Sequence, residues 1–209
     1  MIRFDGKTVL ITGGASGFGL ATARLARGLG AQVAIAGRQS ERGRVAAAEL
    51  GPDVLFVRAD VSCEEDVRRM LSSVVERFGR LDVLVSNAGV MHRAPAAEED
   101  VAHWDEIMAV NLRGVFLCCK HAVPLLTASR GAIVNVASVL AFASRTGGRT
   151  PAYDASKAGV AALTRSLAVG YGPAGIRANA VCPGFVITDF TRDLWEGWSS
   201  QEREAFLER

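Results

Sequence analysis

Short apolar runs alternate with longer amphipathic segments from one end of this 209-residue chain to the other. Strands are predicted at Lys7 to Thr12, Gln32 to Ala36, Val54 to Arg58, Leu81 to Ser86, Ala132 to Val136 and Ile176 to Val181. Several of these are near-continuous Val, Ile and Leu runs, the pattern of strands buried on both faces. Between them, helices are predicted over roughly Gly17 to Leu29, Ser40 to Leu50, Glu64 to Phe78, Val101 to Ala128 and Ala152 to Tyr171. Strands that alternate with helices form βαβ units, and such units build a parallel sheet covered by helices on both faces. Because crossovers are right-handed, the expected fold is α/β, a doubly wound, Rossmann-like sheet whose ligand crevice lies at the carboxyl ends of its strands. No repeat, low-complexity stretch or linker divides it, so residues 1–209 are expected to form one dinucleotide-binding domain.

Composition narrows the partners. With 49% hydrophobic and 22% charged residues the chain can bury a substantial core, and 24 basic residues scattered among 22 acidic ones leave a net charge of only +2. That balance gives no basic patch for nucleic acid or an anionic membrane. No unbroken apolar run approaches the ~18 residues of a membrane span and no N-terminal signal pattern is present, so a cytoplasmic location is expected. Cys63, Cys118, Cys119 and Cys182 form no Cys-x-x-Cys pair, and His92, His103 and His121 are scattered along the sequence. Neither a metal site nor a disulfide framework is expected from them.

Two stretches carry chemistry. The first follows the first strand: Thr12-Gly13-Gly14-Ala15-Ser16-Gly17-Phe18-Gly19. Glycines spaced G-x-x-x-G-x-G permit a tight turn and a close backbone approach, so that a pyrophosphate can rest on the amides opening the next helix. The second is Tyr153-Asp154-Ala155-Ser156-Lys157. On a helix, residues four apart share a face, which sets an ammonium beside a phenol. A phenol titrates near pH 10 on its own, and a neighbouring positive charge favours the phenolate, bringing proton exchange with a substrate oxygen toward neutral pH.

Together with further motifs, these stretches make the chain resemble a short-chain dehydrogenase/reductase. The glycine pattern stands at Thr12 to Gly19, Asp60-Val61 follows the third strand, and Asn87-Ala88-Gly89 follows the fourth. Asn111 lies in the long helix, Ser138 follows the fifth strand, Tyr153 and Lys157 come next, and Pro183-Gly184 with Val186 and Thr188 follow the sixth. The resemblance implies that Tyr153 is the general acid in ketone reduction and the general base in alcohol oxidation, while Lys157 bonds the nicotinamide ribose and lowers the phenol's pKa. It further implies that Ser138 holds the substrate oxygen and that Asn111 anchors a water chain leading from Lys157 to solvent. Gly13, Ser16, Gly17, Phe18, Gly19, Asp60, Val61, Asn87, Ala88, Gly89, Pro183, Gly184, Val186 and Thr188 are implied in cofactor binding, Asn87 partly as a brace between strand ends.

Cofactor choice turns on the end of the second strand. An NAD site usually places a carboxylate there for the ribose hydroxyls. Here Gly37 takes the expected acid position and is followed by Arg38, whose guanidinium can pair with a 2′-phosphate. NADP(H) is therefore expected, with NAD(H) the alternative. Three features depart from the family. The segment from Ser138 to Tyr153 is about two residues longer than usual, with Arg145 to Arg149 polar and flexible. Asp154 stands where a small residue is common and is expected to face solvent. The chain also stops at Arg209, where relatives continue through another helix and a seventh strand, so Ile176 to Val181 is expected to be an exposed sheet edge. Near the end, Phe190, Leu194 and Trp198 fall at i, i+4, i+8 spacing, a helical apolar stripe without an obvious partner. Residues 185–209 are expected to be a lid over the substrate.

The leading function is an NADP(H)-dependent oxidoreductase interconverting a secondary alcohol and a ketone. One alternative is a sugar-nucleotide epimerase or dehydratase, whose glycine spacing and longer C-terminal part differ. The other is a redox-inactive or truncated nucleotide-binding protein of the same fold, a sensor or scaffold. Homo-oligomers are expected through the Val101 to Ala128 and Ala152 to Tyr171 helices, with Val115, Phe116, Leu163 and Leu167 in the contact. The assembly would be a tetramer if the chain continues beyond residue 209 and a dimer otherwise.

Overall fold

The structure is a computed structural model that describes residues 2–144 and 148–207. Its sheet comprises β1 (Thr8–Thr12), β2 (Gln32–Gly37), β3 (Leu55–Arg58), β4 (Val83–Ser86), β5 (Ala132–Val136) and β6 (Arg177–Val181). The strands are all parallel, in the order β3-β2-β1-β4-β5-β6. Helices α1 (Gly17–Gly28), α2 (Ser40–Leu50), α3 (Glu64–Phe78), α4 (Val101–Met108), α5 (Gly114–Ser129) and α6 (Pro151–Tyr171) make the crossovers. The fold is the doubly wound α/β sheet expected from the alternation. Strand order reverses between β1 and β4, and such a reversal opens a crevice at the carboxyl ends of the two strands.

Alternate side chains of the central strands feed two cores. Val9, Ile11, Val33 and Ile35 pack with Ala23, Ala26, Ala46 and Leu50 on one face, while Leu10, Leu84 and Ile133 pack with Met70, Val74, Leu117 and Leu126 on the other. A buried carboxylate ties the amino ends of the strands together. Asp82 Oδ2 accepts from the Thr8 amide at 3.0 Å and from Arg80 Nε at 2.7 Å, and Lys7 Nζ donates to its Oδ1 at 3.1 Å. Burial raises the Asp82 carboxyl, but the Arg80 guanidinium, the Thr8 amide and the Lys7 ammonium outweigh it and hold the group below the usual carboxylate range.

The expected long helix is not continuous. A five-residue π-turn, Ala109–Arg113, separates α4 from α5 and carries Asn111. By length and composition alone the Val101–Ser129 stretch could cross a membrane, but half of its most apolar window is buried, where α5 lies against α3, β4 and β5. Its buried apolar residues, among them Leu117, Cys118, Ala122 and Leu126, belong to the core, while Val101 and Trp104 are exposed. Two of the four side chains expected between subunits, Val115 and Leu167, are likewise buried within the chain, whereas Phe116 is exposed.

The apolar stripe near the end is also corrected. A short helix, α7 (Arg192–Gly197), ends before Trp198, which is extended at φ −80°, ψ 140°. Gly197 favours that break, so Phe190, Leu194 and Trp198 do not share one helix face. Two of the three meet other rings: Trp198 stacks with Phe185 at 5.4 Å, which also meets Trp195 at 5.9 Å, and Phe190 approaches Tyr153 at 6.3 Å. A last helix, α8, follows at Ser200–Leu207. β6 lies at the edge of the sheet, with Val181 exposed and Ile176 buried just before it. Of the Arg145 to Arg149 segment, residues 145–147 lie outside the described residues.

Candidate active site

The turn between β1 and α1 is built by exclusion of side chains. Gly13 and Gly17 have φ of 63° and 50°, the left-handed region that favours glycine. A Cβ on Gly19 would lie 2.2 Å from the Gly13 carbonyl oxygen, and one on Gly13 would lie 2.9 Å from Ala88 Cα. Gly14, a variable position in the sequence pattern, is equally constrained, since its Cβ would sit 2.6 Å from Ile35 Cβ on β2. Asn87, after β4, locks the turn: its Nδ2 donates to the Thr12 and Gly13 carbonyls at 3.0 and 3.1 Å. The Thr12 hydroxyl oxygen in return accepts from the Asn87 and Ala88 amides at 3.0 and 3.1 Å. No side chain caps α1 at Ser16. The result is a bare backbone cradle at a helix N-terminus, which fits the pyrophosphate of a dinucleotide.

Tyr153 and Lys157 lie one turn apart on α6, which Pro151 opens at its first position. Lys157 is almost wholly buried, and its ammonium donates to the Val136 carbonyl at the end of β5 at 2.6 Å. Burial pushes its pKa down to about 8, against a smaller upward pull from Cys182. The ammonium is 5.6 Å from the centre of the Tyr153 ring. Ser138 is buried, and its Oγ accepts from the Leu140 amide at 3.1 Å.

Asn111 is fully buried in the π-turn. Its amide brackets Val90, accepting from the Val90 N–H and donating to the Val90 carbonyl, each at 2.8 Å. Its Nδ2 also donates to Ser156 Oγ at 3.3 Å, and that hydroxyl donates to the Tyr153 carbonyl at 2.7 Å. Asn111 and Lys157 approach each other across Gly89: a Cβ there would be 3.3 Å from Asn111 Oδ1 and 3.8 Å from Lys157 Nζ. A π-turn inserts one extra residue into a helix and re-aims the side chains beside it.

A cavity of about 630 Å³ joins these parts. Gly13, Ser16, Gly17, Phe18, Asn87, Ala88 and Gly89 line one side of it, Ser138, Tyr153 and Lys157 its floor, and Pro183, Gly184, Val186 and Thr188 the loop after β6. Gly19 and Asn111 stand behind the wall. Arg38, Asp60 and Val61 are placed elsewhere, past the ends of β2 and β3. Arg38 Nη1 is 4.0 Å from Asp60 Oδ2 and 3.8 Å from Glu106 Oε1, and Val61 is buried under Gly114.

Several participants carried no motif. Met91, Arg93, Leu140, Arg149, Phe185, Phe190, Leu194 and Trp198 also line the cavity. Arg42 on α2 pairs with Asp189 in the loop after β6, a contact between distant segments that no spacing rule reveals. Asp154 does not simply face water, because its carboxylate accepts from Thr150 Oγ1 and Ser144 Oγ, each at 2.9 Å. The histidines scattered in sequence are not all apart in space. His92 stacks on His103 with ring centres 4.0 Å apart, and its Nε2 meets Glu106 Oε2 at 2.8 Å. Among the described residues no three His, Cys, Asp or Glu side chains form a metal-binding group.

Comparison with known proteins gives a family and a fold. The sequence model described as short chain dehydrogenase matches residues 7–198. A cis-4-hydroxycyclohexanecarboxylate dehydrogenase of Sinomonas cyclohexanicum is 44% identical over 195 residues, covering 91% of this chain and 78% of that protein. A meso-2,3-butanediol dehydrogenase of Serratia marcescens is 39% identical over 209 residues, covering 100% of this chain and 81% of that protein. The crystal structure of a short-chain type dehydrogenase/reductase from Mycobacterium marinum superposes with a TM-score of 0.90 at 32% identity, covering 93% of this chain and 79% of the other.

Proposed function

The chain belongs to the short chain dehydrogenase family, an enzyme acting on CH–OH groups with a nicotinamide nucleotide, and on that premise we propose that it interconverts a secondary alcohol and a ketone with NADP(H), using Tyr153 as general acid and base. The observation that carries this reading is the buried Lys157 ammonium one helical turn from Tyr153, on the floor of a cavity whose other side is the glycine cradle. The nicotinamide would accept or give the hydride at the carbinol carbon. In the oxidation direction the hydroxyl proton passes to the Tyr153 oxygen, and in reduction Tyr153 returns it.

Each neighbour has a role that its bonding leaves open. Ser138 Oγ is already an acceptor from Leu140, so its own proton can be donated to the substrate oxygen and steady the charge that develops there. The Lys157 ammonium, 5.6 Å from the Tyr153 ring centre, stabilises the Tyr153 oxygen once its proton has left, and would also hold the ribose of a bound nicotinamide nucleotide. Both Asn111 Nδ2 protons are used, but Oδ1 keeps a lone pair beside Gly89, where a water leading from Lys157 can be held. Gly13, Ser16, Gly17, Phe18, Gly19, Asn87, Ala88 and Gly89 would hold the dinucleotide, with Asp60 and Val61 at its adenine end and Pro183, Gly184, Val186 and Thr188 covering its nicotinamide end. Residues 185–209, of which 208 and 209 lie outside the described residues, would serve as the lid, and the Arg42–Asp189 pair ties the start of that segment to α2.

NADP(H) is favoured over NAD(H) because Gly37 leaves open space where a carboxylate would stand, and Arg38 beside it is half-exposed. Four free cysteines, two of them buried, suit a reducing compartment such as the cytoplasm. Exposed Trp104 and Phe116 on α4 and α5 suit a homo-oligomer contact, which light scattering reads as a mass that is a multiple of 22.1 kDa.

The test is nicotinamide absorbance with a panel of ketones and secondary alcohols and both cofactors. Turnover is expected, higher with NADP(H), and Tyr153→Phe should lower it by at least ~100-fold while cofactor binding holds. A Tyr153→Phe protein retaining more than about a tenth of wild-type turnover contradicts the assignment.

A further inference from the structure

Two carboxylates stand against the Arg38 guanidinium, and they are held in different ways. Asp60 belongs to the turn after β3: its Oδ1 accepts from the Ser62 amide at 2.9 Å and from the Ser62 hydroxyl at 2.7 Å, and its Oδ2 lies 4.0 Å from Arg38 Nη1. Glu106, on α4, is held by side chains. Its Oε1 lies 3.8 Å from Arg38 Nη1, and its Oε2 lies 2.8 Å from His92 Nε2. An ionised carboxylate only accepts, so His92 supplies the proton of that bond. The His92 ring is fixed in turn by stacking on His103, with centres 4.0 Å apart and planes 9° from parallel. One carboxylate is thus shared between an anchored imidazole and a half-exposed guanidinium.

That sharing bears on the cofactor because β2 supplies no acid of its own. A Cβ on Gly37 would meet nothing within 4 Å, and the acids beside Arg38 come instead from the turn after β3 and from α4. With Asp60 and Glu106 in place, the positive charge of Arg38 is offset before any ligand arrives. A 2′-phosphate must part the guanidinium from Glu106 and then remain near that carboxylate, and like charges closer than a Debye length, about 8 Å at physiological ionic strength, repel. A 2′-hydroxyl is neutral and meets no such cost. An anion beside the phosphate site therefore weakens one cofactor and spares the other, which is how a repulsive group sets specificity. Asp60 also holds the Ser62 turn, whereas Glu106 can change its charge without opening a turn.

Building on the reading of Arg38 as the ligand of a 2′-phosphate, we propose that Glu106 is a positioning residue for cofactor choice. It keeps the guanidinium on one oxygen and His92 on the other, narrows the advantage of NADP(H), and leaves NAD(H) a usable partner. Its anchor, His92, stands between Met91 and Arg93, two residues that line the cavity. The group that sets the cofactor ratio is therefore tied to the loop that borders that cavity.

Fluorescence titration of the full chain with NADPH and with NADH tests this through the ratio of the two dissociation constants. Glu106→Gln keeps a carbonyl oxygen for His92 and removes only the charge. It is expected to tighten NADPH by about three- to fivefold, the size of a half-exposed charge interaction, and to leave NADH within about 1.5-fold of wild type. In an Arg38→Ala background the same substitution should move NADPH by less than about 1.5-fold, because its effect passes through the guanidinium. An NADPH affinity that is unchanged or weaker in Glu106→Gln, an equal gain for both cofactors, or a gain that persists in full without Arg38 overturns the proposal. Arg38→Ala alone separates the two readings. A selective loss of NADPH keeps Arg38 as the phosphate ligand whatever Glu106 does, whereas equal loss of both cofactors overturns that reading and this proposal together.

Discussion

Arg38 and Lys157 are the two residues whose charges face unusual surroundings. Arg38 is within 4.0 Å of Asp60 and 3.8 Å of Glu106, so a 2′-phosphate must win its guanidinium from two half-exposed carboxylates. Those pairs are solvent-screened and weak, whereas a phosphate offers short charge-assisted bonds. Arg38→Ala is expected to weaken NADP(H) by about tenfold or more and NAD(H) far less, measured by fluorescence titration. Equal weakening of both would show that Arg38 reads no phosphate. Lys157 poses the opposite problem, a charge with little water around it. Its pKa is depressed from 10.5 to about 8, so relative to the unfolded chain its folded form loses stability at neutral pH, where the group must be charged. That loss disappears as the pH rises from about 8 to 10.5 and the ammonium deprotonates in both states. Lys157→Met should therefore melt a few degrees above the wild type at pH 7 without cofactor, with the gap closing toward pH 10. A variant that melts lower at both pH values would mean that the lost bond to the Val136 carbonyl outweighs the buried charge.

The helices and turns show where a sequence speaks and where it does not. The strands and sheet-covering helices begin and end within a residue or two of expectation, because burial on one or both faces imposes a period that composition must obey. The π-turn at Ala109–Arg113 leaves no such trace, since one residue inserted into an otherwise apolar helix carries no marker in composition or spacing. The Phe190, Leu194 and Trp198 spacing misleads for a related reason: three matching positions suggest a helix even when a glycine between them ends it. The residues with named motifs surround one cavity, apart from Gly19 and Asn111 behind its wall and Arg38, Asp60 and Val61 beyond it. Met91, Arg93 and Leu140 line the same cavity without a motif, because apolar walls and arginines follow no spacing. Gly14 is a constraint that no pattern marked. Its Cβ would meet Ile35 at 2.6 Å and the Ile11 carbonyl at 3.0 Å, both on central strands that cannot yield. Gly14→Ala should lower stability by roughly 1–3 kcal/mol in urea unfolding, as overpacking does, and should weaken cofactor binding as the turn is pushed outward. A stability within ~0.5 kcal/mol of wild type would show that the turn relaxes.

For the molecule as a whole, Asp82 links the amino ends of the strands, accepting from the Thr8 amide of β1 while its own carbonyl accepts from the Ala132 amide of β5 at 2.8 Å. Its folded pKa lies below the ordinary value, so its contribution is complete above about pH 4 and is lost as the pH falls through the folded value. Asp82→Asn should be less stable than wild type at pH 7 by on the order of 2 kcal/mol, and the two should converge in acid. A constant difference between pH 7 and pH 2 would assign the loss to packing. At the other end of the sheet, the cavity takes its walls from the turns after β1, β4, β5 and β6 and from α6, segments that run from Gly13 to Trp198. No contiguous fragment contains more than a part of it. Turnover is therefore a reporter of complete assembly: in refolding, helical signal can return while the last loops are still unseated, and activity should reappear only with the slowest phase.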